Sequence, residues 1–223
     1  MTAAQTLPDT ARRDQVIAQI SPGYRGELHF LGLLQETGAV MGGAAWMLSG
    51  VQWWELLVVP VSLAFANAVE WYIHRGPLHH PVPPRILYKR HTLMHHAAFT
   101  FEDMSVHAWR ELRLILFPLY ALPLLLLLVV PVAWGLMALG QPNMAWLFVL
   151  AAALYYLSYE LLHLAYHLPH GNPVGRLPII QRLARHHRTH HDPPLMLKGN
   201  FNVSIPFWDW LMGTIIRDPR HER

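Results

Sequence analysis

Four long apolar stretches, at about residues 30–49, 53–73, 114–139 and 144–166, alternate with polar segments at 1–28, 74–112 and 167–223. Each stretch has roughly the 20 residues a helix needs to cross the hydrocarbon core of a bilayer. The third, LILFPLYALPLLLLLVVPVAWGLMAL, is the clearest. Its Pro118, Pro123 and Pro131 predict kinks rather than an end, because prolines are tolerated in membrane helices. The first is the weakest, with Gln35 and Glu36 near its start, and its AVMGGAA run permits close approach of a neighbouring helix. The pattern predicts an all-α integral membrane protein. Four transmembrane helices form two hairpins with tiny outer turns, and the polar segments make a helical cap on one face. The whole of 1–223 reads as a single membrane-embedded domain.

Charge sharpens this map. Of 17 lysines and arginines, three precede residue 30, six lie between Arg75 and Arg113, and eight lie from Arg176 onward; none falls in the turns at 50–52 and 140–143. With four spans, the N-terminus, the middle segment and the C-terminal segment share one side, which the positive-inside rule makes cytosolic. Trp46, Trp53, Trp54, Trp134 and Trp146 sit near the uncharged turns, as expected of rings at a headgroup interface. The first 28 residues lack the apolar core of a secretory signal. The chain is 53% hydrophobic and only 14% charged, where a soluble domain carries about 25% charged residues. A net charge of +3 gives no reason to expect nucleic acid as a partner, and the absence of cysteine excludes disulfides and thiolate metal sites.

Histidine is the anomaly, with 16 residues, all on the predicted cytosolic side or at the helix ends that reach it. Most fall in four clusters: His74 and His79; His91, His95 and His96; His163 and His167; His186, His187, His190 and His191. Positions three or four apart share a helix face. His91 and His95, His163 and His167, and the set His187, His190 and His191 have that spacing. His74 and His79 are five apart, and the Gly76-Pro77 between them predicts a helix break that turns the chain back. Four clusters aimed at one point under a helix bundle are expected to surround one or two metal ions. Imidazole is the commonest metal ligand among side chains, and an all-histidine set suits iron, zinc, copper or nickel. Glu70, with Asn67 on the same face, lies one turn from His74, and Glu160 lies one turn from His163. These three are the expected outer groups, with each carboxylate accepting the second ring N–H of a ligand. A histidine-rich metal transporter is the alternative class. It needs ligands deep in the spans, where none lies.

The order His-x4-His, His-x3-His-His, His-x3-His, His-x2-His-His resembles the fatty acid hydroxylase superfamily of membrane lipid hydroxylases, sterol desaturases and C4-methylsterol oxidases. NFNVSIPFWDWLMGT, residues 200–214, is similar to that group's Trp-Asp-x-x-x-Gly-Thr ending. In the second cluster three residues, rather than the commoner two, precede the paired histidines. The resemblance implies metal ligands at His74, His79, His91, His95, His96, His163, His167, His187, His190 and His191. His186 also shares a face with His190, so the fourth cluster has two registers. His80, His107 and His170 are spare, outer groups or loop histidines, with His186 and His170 kept as alternative ligands. The resemblance further implies a non-haem di-iron centre using O2, with zinc able to replace iron. It implies hydroxylation or desaturation of a fatty acyl chain, a sterol or another lipid entering from the bilayer. The electron donor would be external, such as a ferredoxin or a cytochrome b5 with its reductase, since no flavin, haem or nicotinamide motif is present. The compact form points to a bacterial cytoplasmic membrane. Trp208, Asp209 and Trp210 are expected either to lid the site or to fasten the tail to the bundle.

Overall fold

A computed structural model describes residues 9–169, 171–218 and 220, all of the described secondary structure being helical. The first elements are α1 (Asp9–Ala18), α2 (Gly26–Trp46) and α3 (Val58–Ile73), the last led in by a 3₁₀ turn at Glu55–Leu57 and continued by a π-helical turn at His74–Leu78. Next come α4 (Ile86–Tyr88), a second π-helical segment at Lys89–His95, α5 (His96–Ala98) and α6 (Leu112–Ile115). Two long helices follow, α7 (Ala121–Ala138) and α8 (Pro142–Tyr166), and then α9 (Pro178–His190) and α10 (Phe207–Leu211). Helix α8 is the centre of the bundle and packs against α2, α3, α7 and α9. Its buried Ala145, Ala151 and Ala153 let neighbouring backbones come close.

Three helical stretches are long and apolar enough to cross a membrane: Glu55–Leu78, Ala121–Ala138 and Pro142–Tyr166. Large apolar side chains on them, such as Phe65, Leu127, Leu128 and Trp134, face outward, as expected for a lipid-facing surface. The protein is a membrane protein. The first apolar stretch of the sequence falls on α2, which is not among the three because Glu27, His29, Gln35 and Glu36 dilute it. The third begins later than the hydrophobic run suggests. Pro118 disfavours a helical residue ahead of it, and Leu116, which ends α6, is already extended at ψ 141°. The run 114–139 is therefore a short cap helix, a turn, and a span that starts at Ala121.

That break frees backbone groups that must be satisfied at the membrane boundary. The Phe117 N–H donates to the buried Glu160 carboxylate at 3.1 and 3.3 Å, and Arg90 donates to the Arg113 and Leu116 carbonyls at 3.1 and 3.3 Å. The turn between α7 and α8 is tight because Gly140 adopts φ 72° and Pro142 opens the next helix. On the capped face, Val16 of α1 and Ile20 just beyond it join Ala98, Phe99, Val106, Leu112 and Leu122 in one apolar cluster, which ties the N-terminal helix to the polar segments.

Candidate metal centre

The two π-helical turns decide where the first histidines go. At Gly76-Pro77 the helix does not break, contrary to the expectation from sequence. It widens instead, running on as a π-helical turn through Leu78. A wider turn brings residues five apart into line, so His74 and His79 stack with ring centroids 5.2 Å apart and planes 12° apart. The same geometry over Lys89–His95 pairs His91 with His96, whose Nε2 atoms are 3.1 Å apart.

Two groups of imidazoles result. The first comprises His74, His79, His91, His96 and His190, and the second His95, His167, His187 and His191; within each, the ligand atoms lie within 4.8 Å of one another and every residue is buried. His163 sits beside the second group, its ring centroid 4.8 Å from those of both His95 and His187. The second and fourth clusters of the sequence are each shared between groups. His95 parts from its i−4 neighbour His91, and His190 parts from His187 and His191. The groups touch, with the His96 and His191 rings stacked at 4.1 Å.

Backbone carbonyls fix the tautomers. Nδ1 of His95 donates to Leu114 O at 3.0 Å, of His167 to Met104 O at 2.7 Å, of His190 to Gly199 O at 3.0 Å and of His191 to Phe99 O at 2.6 Å, while that of His74 donates to Phe201 O. Thr92 gives its own hydroxyl proton to Leu78 O and accepts Nδ1–H of His79 at 3.1 Å. Each of these rings therefore turns an Nε2 lone pair inward. Lone pairs then meet at short range: His95 and His191 at 3.1 Å, and His79 and His190 at 2.9 Å. Protons do not relieve this near neutrality. Burial, reinforced by neighbouring imidazoles, pushes His91, His95, His96, His187 and His191 well below the ordinary histidine range, and burial pushes His190 to about 4. Among the described residues, both ring nitrogens of His163, Nε2 of His167 and Nδ1 of His96 and His187 are buried with no hydrogen-bond partner. Two imidazole nitrogens about 2.1 Å from one ion at right angles are about 3.0 Å apart. The convergent lone pairs, their spacing and the orphaned Nε2 atoms of His163 and His167 fit a bound metal.

The expected outer groups are close but do other work. Glu70 accepts the N–H groups of Val203 and Ser204 and the hydroxyls of Tyr155 and Ser204. Asn67 donates to Tyr155, Ser204 and the Ile205 carbonyl, and Glu160 serves Phe117. None of the three bonds to an imidazole. The main chain already supplies the acceptors for the ligand-ring N–H groups, so these side chains anchor the segment that presents Phe201 and the break before α7. His186 is outside both groups, its Nε2 lying 3.0 Å from Asp209, whereas His187, His190 and His191 lie within them. His170 lies outside the described residues. His80 and His107 are exposed, and His29 bonds Tyr24 and the Phe117 carbonyl and belongs to neither group. Asp209 and its neighbours fasten the tail. Asp209 accepts Phe201 N–H at 3.0 Å, Asn202 N–H at 2.8 Å and the Thr214 hydroxyl at 2.6 Å, while Trp208 bonds Ala64 O at 2.9 Å. Sequence reasoning missed the carbonyl acceptors. Gly199 alone carries a local signal, since a Cβ there would meet Thr214 O at 2.1 Å.

An apolar cleft of about 430 Å³ runs between α3, α7 and α8, lined by residues such as Phe65, Val69, Val129 and Ala152, and ends at Glu70 and His74. A smaller hollow of about 190 Å³ reaches His91, His95 and His163 from the side of α4 and Pro118. Leu78, Phe117 and Tyr159 line both, and the two aromatic rings stack at 5.5 Å. The arrangement can bring an apolar chain from the lipid phase to a buried, water-poor imidazole centre.

The fatty acid hydroxylase family model matches residues 59–214, which include both histidine groups, the three apolar spans from Val59 onward and the Asp209 tail. Comparison with curated proteins and with solved structures gave no match. With the match covering more than two thirds of its length, the chain belongs to the fatty acid hydroxylase family.

Proposed function

We propose that this protein is an O2-dependent hydroxylase or desaturase of a membrane lipid, a fatty acyl chain or a sterol, working with two irons. The observation that carries the reading is the meeting of two buried imidazole groups with the inner end of a lipid-facing apolar cleft. His74, His79, His91, His96 and His190 would hold one ion, and His95, His163, His167, His187 and His191 the other. Zinc also suits these nitrogens and can replace iron. Bound iron supplies the activation of O2 needed to attack an unactivated C–H bond, which acid–base side chains do not provide. The chain's own residues supply placement and dryness. The walls of α3, α7 and α8 take the apolar substrate, and Leu78, Phe117 and Tyr159 narrow the space next to His74, which limits which carbon reaches the centre. Carbonyl-bound Nδ1–H groups keep His74, His95, His167, His190 and His191 each in one tautomer.

In this reading α2, alongside α8, is the fourth span, and both termini lie in the cytosol of a bacterial cell. The cation distribution supports that orientation. Electrons come from a separate carrier, such as a ferredoxin or a cytochrome b5 with its reductase. Expression in a host of defined lipid content, followed by mass spectrometry, tests the proposal. A lipid heavier by one oxygen marks hydroxylation, and one lighter by two hydrogens marks desaturation. Unchanged lipids in a metal-loaded, reductant-supplied preparation, or equal conversion by His95→Ala and His190→Ala variants, would overturn it.

A further inference from the structure

We infer that Arg13 is a positioning residue for one of the two histidine groups, acting through the backbone carbonyls that orient its imidazoles; the inference rests on the reading of those groups as a metal centre. Arg13 belongs to α1, outside residues 59–214 that match the family. It is only 8% exposed. Nη1 donates to Ala98 O at 3.3 Å and to Asp103 at 3.2 Å, and Nη2 donates to Ser105 O at 2.7 Å and to the buried Glu111 at 2.7 Å. The guanidinium also lies 5.2 Å from the centre of the Phe99 ring. One planar fork thus holds the segment 98–111 at several points, which a lysine ammonium does not reproduce.

That segment and the helix it leads into carry the acceptors for the second histidine group. Phe99 O holds His191, Met104 O holds His167, and Leu114 O, three residues past Glu111, holds His95. The Phe99 ring itself lies 4.5 Å from that of His167. The first group takes its supports elsewhere: Phe201 O for His74, Gly199 O for His190 and Thr92 for His79. The influence of Arg13 is therefore one-sided. Loss of the fork leaves Glu111, 4% exposed, without its cation, and releases the strand of carbonyls behind His167 and His191. Val16 and Ile20 keep α1 docked by apolar packing.

The test uses the full chain in detergent, loaded anaerobically with iron(II), with metal counted per chain and ⁵⁷Fe Mössbauer spectra recorded. The parent is expected to hold two irons. Arg13→Gln keeps one with the parent's affinity and spectrum, and binds the other about 10- to 100-fold more weakly, the usual effect of losing support behind a ligand. Combining Arg13→Gln with His79→Ala, which opens the first group, removes tight binding altogether. Combining it with His95→Ala, in the same group, adds little. Two irons held by Arg13→Gln with unchanged affinity and spectra, or parallel loss of both, would overturn the inference alone. A parent that holds no iron overturns it together with the reading of the centre. If Arg13→Gln does not fold, Arg13→Lys, which keeps a charge opposite Glu111 without the fork, is expected to show the same one-sided loss; equal loss or none counts against the role.

Discussion

Nε2 of His95 and Nε2 of His191 face each other at 3.1 Å although 96 residues separate them, and each ring has already given its Nδ1–H to a carbonyl. Two lone pairs at that distance repel unless a cation lies between them. His95→Ala is therefore expected to cost the chain one of two bound metals while the first group keeps its own, and His190→Ala to do the converse. Metal analysis of the two variants and of the double variant checks this. Loss of both ions from either single variant would mean one shared site.

Asp209 is buried without exposure and holds three donors of its own tail, the N–H groups of Phe201 and Asn202 and the hydroxyl of Thr214. Asp209→Ala strands them, at about 1–3 kcal/mol for each buried donor left unpaired. A clear fall in the unfolding midpoint is expected. Because Phe201 O supports His74, metal should weaken in the first group before the second. Calorimetry together with metal titration would reveal a stable variant with normal binding, the result that contradicts this.

Acid should destabilise the metal-free chain. In the folded state His190 is held at about 4 and its neighbours well below the ordinary value, whereas unfolded histidine titrates near 6.5. Between those values the unfolded chain binds more protons, so stability rises with pH through this window. It is complete above about 6.5 and is lost as the pH falls toward 4. Unfolding midpoints of the demetallated protein at pH 7.5, 6 and 5 measure it; a flat or rising trend on acidification would be inconsistent with buried neutral imidazoles.

Ala152 lines the lipid-facing cleft on α8 and belongs to neither histidine group. Ala152→Phe fills the cleft without touching a ligand. The expected result is a normal metal content with kcat/KM for an apolar lipid reduced at least about tenfold, on the scale set by one misfit group in an apolar pocket. Unimpaired turnover would move substrate entry to another surface, the hollow beside Pro118 being the other approach.

The histidine clusters are legible in the sequence because imidazole is rare in apolar helices and because three- and four-residue spacings predict shared faces. Their division between two groups is not. For the second cluster it follows from a turn of wider pitch, which aligns residues five apart, so that His91 joins His96 while His95 crosses to the other side; for the fourth it follows from where α9 docks between the two groups. The carboxylates show a second limit. Glu70 and Glu160 stand one turn from ligands, as spacing implies, yet their partners are the N–H groups of Val203, Ser204 and Phe117, brought near only by the tertiary fold. The third apolar run shows a third. Its composition reads as one span, but Pro118 ends a helix that hydropathy alone would continue.

The acceptors behind His95 and His167 are peptide oxygens, at Leu114 and Met104. No substitution at those two positions deletes the atom concerned. A mutational scan would therefore pass over them, and related chains are free to drift there while the imidazoles keep their tautomers. Gly199 is the contrasting case, because its neighbour leaves no room for any side chain at all.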